Sequence, residues 1–232
     1  NDENLSDTQN NTPPEINWNT VDAVLFDLDG TLVDSMWVFG DLLPASLHRR
    51  QIVFEQKLVD TIKNMTFQQS AEYVIQRFGL DISPKLLMEE WNDILLEHYR
   101  NDLILKVGAV EYIRHLHNQG IRLCVATSNF REACEAVLQS NGIFDCFAFI
   151  LISDEIGQNK TKPDIYIECA RRLDCKPADC MVFEDILSGV QSAKGAGMQV
   201  TGVYDPYSEV DTDKIKKLAD HYIESFQELL PG

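Results

Sequence analysis

The chain has 232 residues, 44% of them hydrophobic, which is enough apolar material for one α/β domain with an insertion or for two small domains. Its net charge of −17 at pH 7 argues against a nucleic-acid-binding protein, because phosphate backbones are bound by a surplus of Lys and Arg. No apolar run approaches the ~18–20 residues that cross a bilayer, so a membrane partner is not expected.

The first feature in chain order is a polar, acidic segment over residues 1–20, whose composition predicts a disordered tail. A buried strand follows at 22–27, because its apolar run ends abruptly before Gly30. Asp27 and Asp29 therefore project from the carboxyl end of a strand, where open α/β sheets build their sites. Two carboxylates so placed can share a divalent cation, or act as a nucleophile and a proton carrier.

Residues 37–103, called the helical insert below, show helical periodicity and little strand character. Four helices are predicted in this insert, at 37–49, 55–63, 67–78 and 84–99. The insert begins shortly after Asp27 and Asp29, so both of its connections start at the edge of the sheet where these aspartates lie. We therefore expect it to lie as a cap over the carboxyl end of the sheet. A purely stabilising module is the alternative.

Strands and helices alternate after the insert. The predicted elements are a helix at 108–118, a strand at 121–126, a helix at 131–140, a strand at 147–152, a helix at 164–173, a strand at 180–183, a helix at 188–195 and a strand at 199–203. This βαβα order predicts an α/β fold with a doubly wound parallel sheet and an inserted all-helical cap. The predicted core is 21–36 and 104–232.

Polar residues follow the later strands as well. Thr127, Ser128 and Asn129 come directly after the second strand, and their hydroxyl and amide groups are suited to phosphate oxygens, although such a sequence also caps helices. Lys160 and Lys162 lie in the loop after the third strand, where a lysine can neutralise developing charge. A solvated basic loop is the alternative.

The fourth strand ends in Glu184 and Asp185. Carboxylates at the end of a buried strand are costly unless they are paired or bound to a metal. With Asp27 they form an oxygen-rich set suited to Mg²⁺.

These four motifs, in this order, resemble the haloacid dehalogenase-like (HAD) superfamily over residues 21–205, and the insert resembles the small helical cap of its β-phosphoglucomutase-like branch. The resemblance implies a Rossmann-like core, with Asp27 as the nucleophile that forms an aspartyl-phosphate. It implies that Asp29 is the general acid/base and that Thr127 binds the transferring phosphoryl group. Mg²⁺ would be held by Glu184, Asp185, the Asp27 carboxylate and the Asp29 carbonyl.

The resemblance also bears on the catalytic lysine. The family pattern K-P-x-P-D, anchored on the segment 163–166, favours Lys160 over Lys162, with Thr161 in place of the usual proline. Two departures stand out. Ile186 replaces a frequent Ser, and Phe39 stands where sugar-phosphate mutases carry a His.

Ser128, Asn129, Lys63 and Trp37 are the predicted substrate-binding residues. The turn that carries Lys63 is expected to reach into the site, and Trp37 is expected to supply an apolar wall there together with Met36 and Phe39. The predicted function is a Mg²⁺-dependent phosphatase of a small, sugar-phosphate-like metabolite, acting through an aspartyl-phosphate. A phosphosugar mutase and a catalytically silent binding protein are the alternatives. The six cysteines lack a C-x-x-C pair, which favours a reducing, cytoplasmic location, with a leader before Asn1 left open. The acidic composition favours a monomer.

Overall fold

The computed structural model describes residues 16–157 and 161–232, and a parallel sheet of six strands lies at the centre of this part of the chain. The strands are β1 (Ala23–Phe26), β2 (Arg122–Thr127), β3 (Phe149–Ile152), β4 (Cys180–Glu184), β5 (Gln199–Val203) and β6 (His221–Ile223). Their order is β3-β2-β1-β4-β5-β6. The chain winds outward from β1 to one side and then returns to place β4 on the other. This creates a topological switch point at the carboxyl ends of β1 and β4.

Helices cover both faces of the sheet, as the sequence predicts. The α-helices of the described residues, including those of the helical insert, are α1 (Met36–His48), α2 (Lys57–Ile62), α3 (Phe67–Phe78), α4 (Pro84–Asn101), α5 (Ala109–Asn118), α6 (Arg131–Ser140), α7 (Ser153–Ile156), α8 (Asp164–Arg172), α9 (Leu187–Gly195) and α10 (Thr212–Leu218). Alternate side chains of β1 enter two separate apolar clusters, because successive strand residues point to opposite faces. Helices α5 and α6 pack on one face, and α8 and α9 pack on the other.

The helical insert contains α1 to α4, which follow β1 in the chain. A capping box at Thr66 begins α3, and the Ser83 side chain accepts a hydrogen bond at the start of α4. Helix α4 packs against α1 and α3 and also against α6 of the sheet layer. One apolar cluster therefore continues from the sheet into the insert. Among the described residues, no helix has the length and apolar character to span a membrane.

The structure differs from the sequence prediction at both ends of the chain. Residues 1–15 of the predicted tail lie outside the described residues, but Ile16 is buried and Trp18–Thr20 forms a short 3₁₀ helix. Helix α10 and the edge strand β6 were not predicted. Strand β6 has 3 residues, too few for an alternating pattern to be visible in the sequence.

Candidate active site

The loop after β1 positions Asp27 and Asp29. The Asp27 backbone N–H donates to the Phe183 carbonyl of β4 at 3.0 Å, which continues the sheet pairing by one residue. The chain then turns at Gly30, whose φ of 81° favours glycine. A Cβ atom at this residue would lie 2.2 Å from Oδ2 of Asp185. Glycine is thus required both by the turn and by the carboxylate that packs against it.

A buried acidic cluster lies at the switch point. Carboxylate oxygens of Asp27, Glu184 and Asp185 all lie within 4.8 Å of one another, and all three residues are buried. The Thr31 hydroxyl is 2.8 Å from Oδ2 of Asp27 and 2.9 Å from Oδ1 of Asp185. The Thr31 hydroxyl has one proton and can donate to only one of these two carboxylates. Its contact with the other is favourable only if that carboxyl group is itself protonated.

This cluster suits a cation. Burial, followed by the Asp27 and Glu184 carboxylates, raises the pKa of Asp185 well above its usual range. Its buried Oδ2 atom has no hydrogen-bond partner among the described residues. Three close carboxylates with an unpartnered oxygen are unfavourable by themselves, and a hard divalent cation would relieve both features. The donor set therefore fits a metal ion.

Glu184 has a rigid setting within the cluster. Its Oε2 accepts a hydrogen bond from the Tyr166 hydroxyl at 2.5 Å, and its Oε1 accepts one from the Asp185 backbone at 3.1 Å. The side chain packs directly on Gly189 of α9, where a Cβ atom would lie 2.3 Å from it. Helices α8 and α9, which pack on the same face of the sheet, thus hold Glu184 in position.

Asp29 is held differently from Asp27. Its Oδ1 accepts hydrogen bonds from Ser35 at 2.7 Å and from the Tyr99 hydroxyl, and its Oδ2 accepts one from the Asn129 side chain at 3.1 Å. Burial raises the pKa of Asp29 to about 6, and the three hydrogen bonds lower it only in part. A carboxyl group with a pKa near neutrality can hold a proton and release it, as general acid–base chemistry requires.

The end of β2 contributes the three polar residues expected from the sequence. Thr127 is buried, and its hydroxyl oxygen accepts a hydrogen bond from the Asn129 backbone at 3.1 Å. The Ser128 hydroxyl pairs with that of Ser153 at 3.0 Å. Asn129 accepts a hydrogen bond from the backbone of Phe130 while its amide donates to Asp29. Its contact with Asp29 was not predicted.

A cavity of about 240 Å³ opens above these residues. Asp27, Asp29 and Asp185 line its floor together with Thr127, Ser128 and Asn129, and residues of the helical insert line the rest. Lys63 also lines it, with 59% of its side chain exposed. The structure therefore brings seven of the predicted site residues to one cavity.

Trp37 requires a correction, because it does not line this cavity. Met36 and Phe39 of α1 do, and a rotation of about 100° per residue turns Trp37 away from them. Its indole N–H donates to the Asp34 carbonyl at 3.2 Å, and its ring lies edge-on to His98 at 5.4 Å. Its predicted role in substrate binding therefore has no geometric basis.

Two lysines remain to be placed. Lys160 lies outside the described residues, so its predicted role stays a prediction, and Lys162 is exposed. Lys106 was not predicted to act near the site, and its ammonium group donates to the carbonyls of Gly30 and Tyr204 and to Asp205. The ion pair with Asp205 spans 2.9 Å and is largely buried. Lys106 thus braces the turn at Gly30 from outside the cavity.

The chain is similar in sequence to known phosphatases. The chain is 33% identical to a bifunctional riboflavin kinase/FMN phosphatase of Arabidopsis thaliana, over 78% of the chain and 48% of that protein, and so spans about half of its length. It is 28% identical to the (DL)-glycerol-3-phosphatase 1, mitochondrial, of the same organism, over 91% of the chain and 72% of that protein.

The crystal structure of CbbY from Rhodobacter sphaeroides in complex with phosphate has a similar fold. The TM-score is 0.78 at 22% identity, over 90% of this chain and 96% of that one. Residues 24–203 also match the family model described as haloacid dehalogenase-like hydrolase. This range includes β1 from its second residue, all of β2 to β5 and the whole acidic cluster, and it confirms the resemblance inferred from the motifs. The chain belongs to the haloacid dehalogenase-like hydrolase family.

Proposed function

We propose that the chain is a Mg²⁺-dependent phosphatase that hydrolyses a small phosphate monoester through an aspartyl-phosphate on Asp27. One observation carries the proposal. Asp27 sits in a buried acidic cluster suited to a cation, while Asp29, two residues away, has a pKa near 6 and faces the same cavity. The family match and the phosphatases among the similar proteins support the reaction class.

In the first half-reaction, a carboxylate oxygen of Asp27 attacks the phosphorus atom and the bond from phosphorus to the substrate oxygen breaks. Asp29 gives its proton to the departing oxygen, so the alcohol leaves neutral. A pKa near 6 suits this step, because the carboxyl can hold a proton in the site and still release it. Thr127 would bind an oxygen of the phosphoryl group, with Ser128 and Asn129 beside it.

In the second half-reaction, the Asp29 carboxylate takes a proton from water and the oxygen of that water attacks phosphorus. The bond between phosphorus and Asp27 breaks, which releases inorganic phosphate and restores the nucleophile. Asp27, Glu184, Asp185 and the Asp29 carbonyl would hold Mg²⁺, which supplies positive charge for the phosphoryl oxygens when bound. Lys160 is proposed to add positive charge at the same point.

The experiment is phosphate release from a panel of monoesters, with Mg²⁺ and with EDTA. FMN and glycerol 3-phosphate belong in the panel because they are the kinds of substrate that the similar proteins are named for. Asp27→Asn is compared with wild type, and Asp22→Asn, at an exposed position outside the cavity, is the matched control.

Release that requires both Mg²⁺ and Asp27, with Asp22→Asn fully active, is the expected result. Mass spectrometry of the rapidly quenched wild type should find phosphate on Asp27. Failure of every ester in the presence of Mg²⁺, with the protein folded, would refute the proposal. Isomerisation of a sugar phosphate in place of net phosphate release would favour the mutase alternative.

A further inference from the structure

The cavity has two chemically distinct ends. Polar residues at the ends of β1, β2 and β4 form its floor, where the phosphate is proposed to bind. The helical insert forms the opposite end almost entirely from carbon and sulfur atoms, through Phe39, Leu43, Ile62, Met65, Phe67 and Trp91. A phosphate monoester bound at the floor therefore extends its alcohol portion into apolar surroundings.

Three of these residues form what we call the aromatic wall: Phe39, Phe67 and Trp91. The ring centroids of Phe39 and Phe67 are 6.3 Å apart, and those of Phe67 and Trp91 are 6.2 Å apart. Phe67 also stacks on Phe130, with centroids 4.1 Å apart and planes inclined by 27°. Because Phe130 precedes α6, this stacking fixes the wall relative to the sheet layer. Aromatic rings in such arrangements attract a further flat ring.

Trp91, the one residue of the aromatic wall with a polar atom, does not offer that atom to a substrate. Its indole N–H donates to the Ser46 hydroxyl at 3.0 Å, so the one polar atom of the ring is already bonded. Away from the floor, the polar residues among the described lining are Lys63 and Ser70. Lys63 is mostly exposed, which leaves the buried Ser70 as the polar group of the apolar end. The several hydroxyls of a sugar would lose water here and find too few hydrogen-bond partners to replace it.

We infer that the substrate is a phosphate monoester whose alcohol carries a flat, apolar or aromatic group, and that the aromatic wall selects it over polyhydroxylated esters. The inference rests on the proposed phosphatase function and narrows it. It departs from the sugar-phosphate-like substrate expected from the sequence, which did not indicate that Phe67 and Trp91 line the cavity together with Phe39.

The test compares two primary alkyl phosphates, 3-phenylpropyl phosphate and glycerol 3-phosphate, with Mg²⁺ present. We expect kcat/KM to be about tenfold or more higher for the phenylpropyl ester, mainly through a lower KM, because apolar burial contributes to binding rather than to the chemical step. Binding of the same two esters to Asp27→Asn, measured by calorimetry, should show the same preference without turnover.

Phe39→Leu tests the wall, and Trp37→Leu is the matched control, because it makes the same kind of change on α1 outside the cavity. Phe39→Leu should lower the preference about fivefold by raising KM for the phenylpropyl ester. Correct folding of Phe39→Leu is checked independently of activity, by its cooperative unfolding in urea. Trp37→Leu should keep the wild-type preference.

The outcomes separate the inference from the proposed function. Equal or better kcat/KM for glycerol 3-phosphate, with Mg²⁺-dependent turnover, would overturn the inference and leave the phosphatase standing. An equal loss of preference in Phe39→Leu and Trp37→Leu would also overturn it. If neither ester nor any other monoester is hydrolysed by folded protein, the proposed function fails and the inference fails with it.

Discussion

Tyr99 of helix α4 donates a hydrogen bond to Oδ1 of Asp29, although the two residues are 70 positions apart in the chain. Ser35 donates to the same oxygen at 2.7 Å. Oδ1 of Asp29 is therefore held by one group from its own loop and one from the helical insert, while Asn129 donates to Oδ2. Tyr99 is completely buried, so the insert contacts the proposed proton donor directly through this hydrogen bond.

Tyr99→Phe removes this hydrogen bond and keeps the ring. We expect kcat for an alkyl phosphate to fall about 10-fold to 100-fold with little change in KM, because proton transfer to the leaving oxygen depends on the position of Asp29. A nitrophenyl ester needs no proton on its departing oxygen, so its kcat should fall much less. The measurement is the ratio of kcat for the two esters.

Tyr207→Phe is the matched control, since Tyr207 is 60% exposed and lies outside the cavity. It should leave the ratio unchanged. A fall of the same size for both esters in Tyr99→Phe would mean that Tyr99 stabilises the fold without a particular effect on Asp29.

Gly30→Ala is expected to damage the acidic cluster. The new Cβ atom would lie 2.2 Å from Oδ2 of Asp185, so the carboxylate must leave its present position in the cluster. We expect Mg²⁺ binding, measured by calorimetry, to weaken by at least about tenfold, with loss of phosphatase activity. An alanine with a φ of 81° is strained, which should lower the free energy of unfolding by about 1–2 kcal/mol.

Gly120→Ala separates the two effects. Gly120 has a φ of 77°, and a Cβ atom there would meet nothing within 4 Å. It should therefore lose similar stability in urea unfolding and keep Mg²⁺ affinity. If both variants bind Mg²⁺ like wild type, the cation does not bind next to Gly30.

The sequence predicted the parallel sheet and the grouping of Asp27, Asp29 and Asp185 for one physical reason. Each of these carboxylates lies within three residues after an apolar run, and the carboxyl ends of parallel strands meet at one edge. The order of the strands then decides which of them become neighbours.

Other contacts had no such pattern. Tyr99 lies within an amphipathic helix, where a buried Tyr looks like any other core residue, and Lys106 lies in a short connection without a motif. Both act through partners that are distant in the chain, so only the folded structure shows them. Trp37 illustrates the opposite error, because an aromatic residue near the site is placed by helix geometry and not by its proximity in sequence.

The pair of Arg50 and Glu90 should make stability depend on pH. Arg50 donates to both Glu90 oxygens, at 3.0 and 2.8 Å, and Ser46 donates to one of them. The hydrogen bond from Arg50 is the main reason that the pKa of Glu90 lies below its usual value. Because the folded-state pKa is lowered, the stabilisation is complete above the ordinary Glu pKa of 4.5 and is lost as pH falls through the folded-state value.

Glu90→Gln removes the ionisable group and keeps the side-chain volume. We expect it to lower the free energy of unfolding at neutral pH by about 1 kcal/mol, measured in urea. The difference from wild type should shrink when the unfolding is repeated at a pH below 4.5. A difference that stays constant with pH would show that the ionised pair contributes nothing.

Asp185→Asn is expected to stabilise the metal-free protein while it abolishes activity. The substitution removes one of three buried carboxylates that repel one another, and the new amide can donate to a carboxylate oxygen. We expect a gain of about 1 kcal/mol in the free energy of unfolding with EDTA present. Wild type should instead gain about 2.7 kcal/mol from Mg²⁺ at a hundred times its dissociation constant, and the variant should gain little.

Asp22→Asn, which removes an exposed carboxylate, should follow wild type in both conditions. Urea unfolding with EDTA and with Mg²⁺ gives, for each of the two variants, the difference in the free energy of unfolding from wild type in both conditions. The cluster would not be the cation site if Mg²⁺ stabilised Asp185→Asn as much as wild type. It would not be under electrostatic strain if Asp185→Asn were less stable than wild type in EDTA. The acidic cluster thus lowers the stability of the empty fold, because the same three close and buried carboxyl groups that are unfavourable without a cation are the ones that would bind it.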